Sequence, residues 1–325
     1  MLLAGDVGGT KTLLGLFARN AHRPQPVEVR SYVTNAYASF TEMLEAFTAD
    51  AGRPIAIEAA VAGVAGPVIA GVARLTNIDW DVSAAEMTAR FGTPRVRLLN
   101  DLEAMAISAN VLAADEVIVL QHGVPRADGN AAVIAAGTGL GEAFLHRVQG
   151  RLRPVPSEGG HADFAARTDR EIDLVRMLRQ WYGRAEVEHV LSGPGLLNLH
   201  RFTHDGRECH SIDGLDETEV PAAISRAALE KTCPACVEAL SLFVGAYGAE
   251  AGNHALRGLA TSGLFVGGGI APKILPALQD GRFMEAFREK GSMAELAARI
   301  PVRVIMNPEA GLLGAAVFAQ ELAGP

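Results

Sequence analysis

What this chain has little of narrows its class first. Three cysteines, Cys209, Cys233 and Cys236, occur in 325 residues. They are too few and too late in the chain for a disulfide framework, so a reducing cytoplasm is the expected compartment. Long apolar runs are missing as well. None reaches the roughly 18 uncharged residues that a membrane-spanning helix needs, and Met1-Leu2-Leu3-Ala4 gives way at once to Gly5-Asp6 instead of a secretory core. No membrane contact is expected. Basic runs are absent too: the net charge is −8, without any block of about five or six like charges, so the electrostatic footprint of a nucleic-acid binder is missing and no nucleic-acid partner is expected. Nor does a Walker pattern G-x-x-x-x-G-K-[ST] occur anywhere. Any phosphate must be held by other means.

What is present is an ordinary globular composition, 49% hydrophobic and 20% charged, at a length that calls for two domains or one large α/β domain. Short apolar runs alternate with helical patterns almost from end to end, which predicts an α/β fold. Leu2 to Val7, Leu13 to Arg19 and Val27 to Thr34 read as an antiparallel meander turning at Gly8-Gly9-Thr10-Lys11. Phe40 to Ala51 reads as a helix, Ile55 to Val64 as a buried strand, and Ser83 to Glu86 as a capping box opening the next helix. Val96 to Leu99 is a strand ending on Asn100-Asp101, with Leu102 to Leu112 helical after it. The second half begins again with strands at Val117 to Leu120 and Ala131 to Ala136, the latter running into Gly137-Thr138-Gly139-Leu140-Gly141. A buried strand followed by a Gly/Thr turn thus occurs twice, which suggests a duplicated domain whose copies face each other across a cleft. Thr168 to Tyr182 is helical behind its own capping box, Val220 to Leu259 is a long, mostly helical block, Leu264 to Val266 and Val302 to Met306 are strands, and Gly311 to Leu322 is the final helix. The expected division is a small domain, 1–112 plus 302–325, and a large one, 113–301.

Several clusters carry chemistry. Asp6-Val7-Gly8-Gly9-Thr10 puts an acid at a strand's end ahead of glycines whose backbone amides can approach phosphate oxygens; Thr10 adds a hydroxyl, and Asp6 can order Mg²⁺ through its waters. A plain glycine hairpin has the same look. Gly137, Thr138 and Gly139 form a second set of donors, and Gly139 and Gly141 are spaced two apart rather than as a Rossmann fingerprint. Asp101, at a strand's carboxyl end, is either a helix N-cap or the carboxylate that accepts a hydroxyl proton during phosphoryl transfer; the two roles are compatible. In Ser157-Glu158-Gly159-Gly160-His161, Glu158 can accept from vicinal hydroxyls and His161 can donate or accept, a combination suited to a sugar. Glu188, read by itself, is a surface carboxylate. Gly268 and Gly269, after a buried strand, allow close approach of an adenine or ribose. Cys233-Pro234-Ala235-Cys236 has metal spacing, but four ligands are needed and no second C-x-x-C exists. Although Cys209, His200, His204 and His210 lie nearby in sequence, structural thiols and no metal site are expected. Trp181 and Tyr182 are expected to pack.

Taken in order, Gly5-Asp6-Val7-Gly8-Gly9-Thr10, Leu99-Asn100-Asp101, Ala136 to Gly141, Glu158 to Phe164, Leu191-Ser192-Gly193-Pro194-Gly195 and Gly267-Gly268-Gly269-Ile270 resemble the bacterial glucokinase family, within the hexokinase, actin and Hsp70 ATPase superfamily. The resemblance covers essentially the whole chain. It implies two ribonuclease H-like α/β domains, binding of glucose and ATP-Mg²⁺ in the cleft between them, and a homodimer. It further implies that Gly5 to Thr10 lie on the ATP phosphates, that Asn100 meets sugar hydroxyls with Asp101 as base on the 6-hydroxyl, and that Glu158, His161 and Glu188 bind the remaining hydroxyls. Lys11 departs from the Asn common in that family and approaches the related ROK sugar kinases. Those carry a cysteine-rich zinc segment soon after their Glu-x-Gly-His, whereas Ala162 to Tyr182 holds no cysteine, and a DNA-binding extension is not expected ahead of a strand that begins by Leu2. A non-catalytic sugar sensor and a sugar-independent ATPase are the rival readings; the first needs no base, and the second leaves Glu158 and His161 unexplained.

Overall fold

The computed structural model describes residues 1–50, 55–75, 78 and 80–324, and the chain divides into two compact units, 1–113 with 152–154 and 307–325, and 114–151 with 155–306. The first unit opens with the meander β1 (Leu2–Val7), β2 (Lys11–Ala18) and β3 (Gln25–Val33), followed by α1 (Phe40–Asp50) and β4 (Ala59–Val64). A small sheet of β5 (Val68–Ile69), β6 (Val72–Arg74) and β7 (Asp81–Ser83) leads into α2 (Ala84–Phe91), β8 (Val96–Asn100) and α3 (Asp101–Ser108). The main sheet runs β3-β2-β1-β4-β8, antiparallel across β2 and parallel from β1 through β4 to β8. β4 reads AAVAGV because it lies inside the sheet, buried at every position.

The second unit holds β9 (Val117–Gln121), β10 (Ala131–Ala136), β11 (Leu140–Val148), β12 (Arg151–Ser157), α4 (Asp169–Tyr182), α5 (Gly193–His204), α6 (Val220–Leu229) and α7 (Pro234–Arg257). It continues through β13 (Gly263–Gly267), α8 (Leu275–Leu278), α9 (Arg282–Arg288), α10 (Ala294–Arg299) and β14 (Val302–Ile305). Its sheet order is β12-β11-β10-β13-β14-β9. Five of those strands repeat the first sheet: β10 pairs antiparallel with β11 and parallel with β13, and β13 parallel with β14. The duplication expected from the two Gly/Thr turns is therefore present in the strand topology. The chain returns to the first unit at Asn307, beyond the expected 302, because Val302–Ile305 pairs with β13.

Local chemistry explains most boundaries, and it moves some of them. Ser83 accepts from the Glu86 N–H and Thr168 from the Glu171 N–H, so both capping boxes open helices. α3 ends at Ser108, short of the expected Leu112, and the buried strand starts at Ala59 instead of Ile55; Ala51, the expected end of α1, lies outside the described residues. The long block from Val220 is two helices bent by 101°. The break falls where Cys233 is extended and Pro234 begins α7, since a proline is tolerated only in the first turn. Gly193-Pro194-Gly195 discourages a helix interior, so no helix is expected where α5 stands. It forms because Ser192 caps it and the proline occupies its first turn.

The last helix, α11 (Ala310–Ala323), packs in the first unit against α3, β1 and β4. Leu312, Ala315, Ala316 and Ala319 are fully buried there among Leu2, Ala4, Ala59 and Ala104. Gly314 lies so close to the Ala104 backbone that no Cβ fits. We expect Leu312→Ala to destabilise the chain by about 2–5 kcal/mol through the cavity it leaves, read as a shift of the urea unfolding midpoint; a shift worth less than about 1 kcal/mol would mean that α11 does not lock the first sheet.

Candidate active site

In the first unit the parallel register brings strand ends together. Asp6 pairs with Gly63 across β1 and β4, and Val64 with Asn100 across β4 and β8, so the Asp6 carboxylate and the start of α3 share the carboxyl edge of the sheet. Beyond Asp6 the β1–β2 hairpin closes through the Gly8 N–H on the Lys11 carbonyl at 3.1 Å. A Cβ on Gly8 would sit 2.9 Å from that carbonyl oxygen. The turn is braced from β3's end: the Thr34 hydroxyl donates to the Gly8 carbonyl at 2.8 Å, and the Thr12 and Thr34 hydroxyls lie 2.9 Å apart. Among the described residues the Gly9 and Thr10 amides are left unengaged.

Asn100, not Asp101, caps α3. Its Oδ1 accepts from the Leu102 N–H at 3.0 Å while its Nδ2 donates to the Gly66 carbonyl at 3.2 Å. The possible capping role of Asp101 thus passes to its neighbour, and Asp101 becomes the first helical residue. Its Oδ1 also accepts from the Leu102 N–H, at 2.8 Å, and Oδ2 has no hydrogen-bond partner among the described residues. Asp101 keeps part of its surface open to solvent, yet desolvation by the protein around it raises its carboxyl above the ordinary value, with the Leu102 N–H and its own N–H pulling the other way. Asp6 is raised to about 6, chiefly by burial and then by the like charge of Asp101, with Lys11 opposing. Gly311, at the start of α11, has no side chain for a related reason: a Cβ there would stand 2.7 Å from an Asp6 carboxylate oxygen.

The second unit gathers the remaining candidates around the ends of β10 and β13. The Gly137 N–H donates to the Gly139 carbonyl at 2.8 Å, making a tight turn, and the Gly137 carbonyl accepts from the Gly193 N–H at the start of α5, also at 2.8 Å. Glu188 is no loose surface carboxylate. Its Oε2 accepts from the Leu140 N–H at 2.8 Å, and a Cβ on Gly139 would lie 2.6 Å from that oxygen. Gly268 has φ of 83°, the left-handed region that favours glycine, and its neighbour Ile270 donates its N–H to the Ala136 carbonyl at 3.2 Å. Beneath both strand ends lies the fully buried Tyr247, whose hydroxyl accepts from the Ala136 N–H at 3.2 Å and reaches the Ile134 and Gly267 carbonyls at 3.4 Å.

Glu158 and His161 flank a short 3₁₀ turn, closed by the His161 N–H on the Glu158 carbonyl at 3.1 Å. The Glu188 N–H donates to the Gly160 carbonyl at 2.9 Å, so Glu158, His161 and Glu188 belong to one neighbourhood. His161 Nδ1 lies 2.9 Å from Glu186 Oε2. That bond, foremost, raises the His161 pKa, with the charges of Glu188, Glu186 and Glu158 adding to it. Because the value is raised on folding, the pair's contribution is full below the ordinary histidine pKa and is lost as pH rises through the folded one. Tyr182 stacks on His189 at 4.2 Å between centroids, but Trp181 and Tyr182 are both exposed, 44% and 47%, so neither is packed away as expected. Glu186, Thr34, Tyr247 and Gly311 are the participants that motif reading missed. Each sits far in sequence from the motif it serves, and only Glu186, two residues before Glu188, gave any local hint.

Two copies of one α/β topology, each ending its central strand in a glycine turn, define the actin-like ATPase fold, and the strand-end carboxylates Asp6 and Asp101 suit a kinase built on it. The chain belongs to the glucokinase family: that family's model matches residues 3–322, and the glucokinase of Synechocystis sp. is 39% identical over 98% of both chains. Among solved structures, a glucokinase from an Antarctic psychrotroph superposes with a TM-score of 0.87 at 30% identity, covering 98% of each chain. A ROK family glucokinase from Streptomyces griseus in complex with glucose and AMPPNP matches in fold, with a TM-score of 0.66 at 21% identity over 98% of this chain and 99% of that one. The enzyme class is thereby given, a phosphotransferase acting on a hexose.

The coupling of the two carboxylates is open to direct measurement. Asp101→Asn should lower the Asp6 midpoint from about 6 toward the ordinary range, because the like charge is gone while the burial remains. Carbon-13 NMR of labelled aspartate follows it; an unmoved midpoint would mean that the two carboxylates do not interact. Since the native value is raised, the fold should also lose stability as pH rises from the ordinary aspartate value through about 6, and less of it in the variant.

Proposed function

We propose that the chain transfers the γ-phosphoryl group of ATP to the 6-hydroxyl of D-glucose, giving glucose 6-phosphate and ADP, with Asp101 as the general base. The observation that carries this reading is the state of Asp101: it stands at the carboxyl end of β8 with one oxygen anchored on the Leu102 N–H and the other open. Such a carboxylate is oriented yet able to accept the hydroxyl proton as the new O–P bond forms. Its raised pKa makes it a somewhat stronger base than a free aspartate. Asn100 would offer its remaining amide hydrogen and lone pair to neighbouring sugar hydroxyls. Glu188, through its free oxygen, Glu158 and His161 would take the others.

The amides of Gly9 and Thr10, with those of Thr138 and Gly139, would cradle the nucleotide's phosphates, and Gly268 and Gly269 would leave room for the adenosine. Asp6 suits a magnesium ion: its carboxylate is a hard oxygen donor, accepts no hydrogen bond from the described residues, and is already held at a raised pKa that a nearby cation would relieve. When bound, Mg²⁺ neutralises charge on the transferring phosphates. AMPPNP and glucose in the Streptomyces griseus relative support the choice of donor and acceptor. A homodimer and a cytoplasmic setting belong to the same reading, and sedimentation of the purified chain at twice its 34.1 kDa mass tests the first.

Purified protein assayed with Mg-ATP against a panel of hexoses should release ADP fastest with glucose and phosphorylate its 6-hydroxyl. Asp101→Asn should then lower turnover by about 10²–10⁴-fold with ATP affinity largely kept, roughly 3–5 kcal/mol of transition-state stabilisation. Near-normal turnover in that variant would remove Asp101 as the base. Sugar-independent ADP release would point instead to a plain ATPase.

A further inference from the structure

Outside the kinase site, in the second unit, the cysteines expected to be packed thiols meet two histidines. His200 and His204 are one turn apart on α5, their rings stacked at 3.7 Å between centroids. Cys209 comes from the segment that follows α5, and Cys233 and Cys236 bracket the start of α7. One ligand atom from each of His200, His204, Cys209 and Cys236 lies within 4.8 Å of all the others, and all four residues are buried. The sequence objection, that Cys233 and Cys236 lack two further ligands, is removed by the fold.

We propose that His200, His204, Cys209 and Cys236 form a structural zinc site that ties α5, the loop behind it and the first turn of α7 together. Edge lengths agree with this. Tetrahedral ligation at Zn–S of about 2.3 Å and Zn–N of about 2.0 Å separates two sulfurs by about 3.8 Å and a sulfur from a nitrogen by about 3.6 Å; the Cys209 and Cys236 sulfurs are 3.8 Å apart, and Cys236 Sγ is 3.9 Å from His204 Nε2, a few tenths of an ångström from closing on a metal. Protonation states agree too. His204 Nδ1 lies 2.9 Å from the His200 carbonyl, which can only accept, so that nitrogen carries the proton and Nε2 presents its lone pair toward the sulfurs. This is the backbone-carbonyl support that zinc-bound histidines ordinarily have.

The independent pointer to a ligand is His200. It is only 5% exposed, and its Nε2 is buried with no hydrogen-bond partner, a state that costs free energy unless something coordinates it. Binding displaces the two thiol protons of Cys209 and Cys236, so two thiolates balance the dication and the buried cluster carries no net charge. Two nitrogens and two sulfurs with no open position select Zn²⁺ over magnesium or calcium and suit a structural role. Cys233 Sγ, 3.3 Å from His204 Nε2, stands at the edge of the set. The site lies well apart in sequence from the segment after Glu158-Gly159-Gly160-His161, which holds no cysteine.

The test uses the full chain, purified under a non-metal-binding reductant, loaded with zinc and dialysed, with metal measured by mass spectrometry. About one zinc per chain is expected, together with a fall in melting temperature of about 5 °C or more on removal by a strong chelator. Cobalt loading should give the intense visible bands of a tetrahedral thiolate site. Cys209→Ser and His200→Gln should each reduce retained zinc at least tenfold, while Cys233→Ser should leave about one equivalent. Should a variant misfold, the cobalt spectrum of the unmodified chain decides alone. Less than a tenth of an equivalent with no change in melting temperature, cobalt bound without thiolate bands, or a Cys209–Cys236 disulfide in acid-quenched protein would each overturn the proposal.

Discussion

Parallel register between β1, β4 and β8 is the constraint on which the rest of the first unit depends. Shifting a strand by one residue would turn its side chains to the opposite face, and the pairing of Asp6 with Gly63 and of Val64 with Asn100 leaves no such freedom. Small residues make the arrangement possible. A Cβ on Gly63 would stand 2.7 Å from the Ala104 Cβ, so glycine there lets α3 settle against the sheet. Gly314 lets α11 settle against α3, and the two helices press the carboxylate edge into one place. The cost is electrostatic: burial first, and then the like charge of Asp101, raise Asp6 to about 6. The first turn of α3 repays part of it, since Asp101 sits at the positive end of that helix.

The second unit uses the same topology with a different support. Where Thr12 and Thr34 brace the first glycine turn from the side, Tyr247 braces the strand ends β10 and β13 from below, and Glu188 clasps the turn itself through Leu140. The duplicated sheet therefore specifies where the turns come, and the packing around each copy specifies how each is held. Tolerance differs accordingly: a hydroxyl pair is small and local, whereas Tyr247 also fills space against Phe243 and Phe283 at centroid distances of 5.8 and 5.6 Å.

Much of this was legible in the chain itself. Buried strands, capping boxes at Ser83 and Thr168, and the Gly/Thr turns are local signals, and each corresponds to an element of the structure. What stayed illegible is nonlocal or runs against propensity. α5 starts with two glycines around a proline and is carried by Ser192 and its burial; β11 mixes the buried Glu142 into an otherwise alternating run. Glu188 reads as a surface acid until Gly139 and Leu140 are folded against it. The four candidate zinc ligands are split between one face of α5, a loop and a helix start, so no spacing rule assembles them.

One habit recurs at three of the candidate residues, and it supports the kinase reading physically. Asp101 anchors one oxygen on the Leu102 N–H, Glu188 anchors one on the Leu140 N–H, and His161 engages Nδ1 with Glu186. Each keeps its second polar atom without a partner among the described residues. A side chain tethered at one atom loses most of its rotamer freedom before a ligand arrives, so that entropy is not charged again on binding. The free atom, meanwhile, faces solvent at Asp101 and His161 and can exchange water for a substrate hydroxyl. That three such residues, on different elements, stop at one tethered atom argues for positions shaped around a polar, many-hydroxyl substrate.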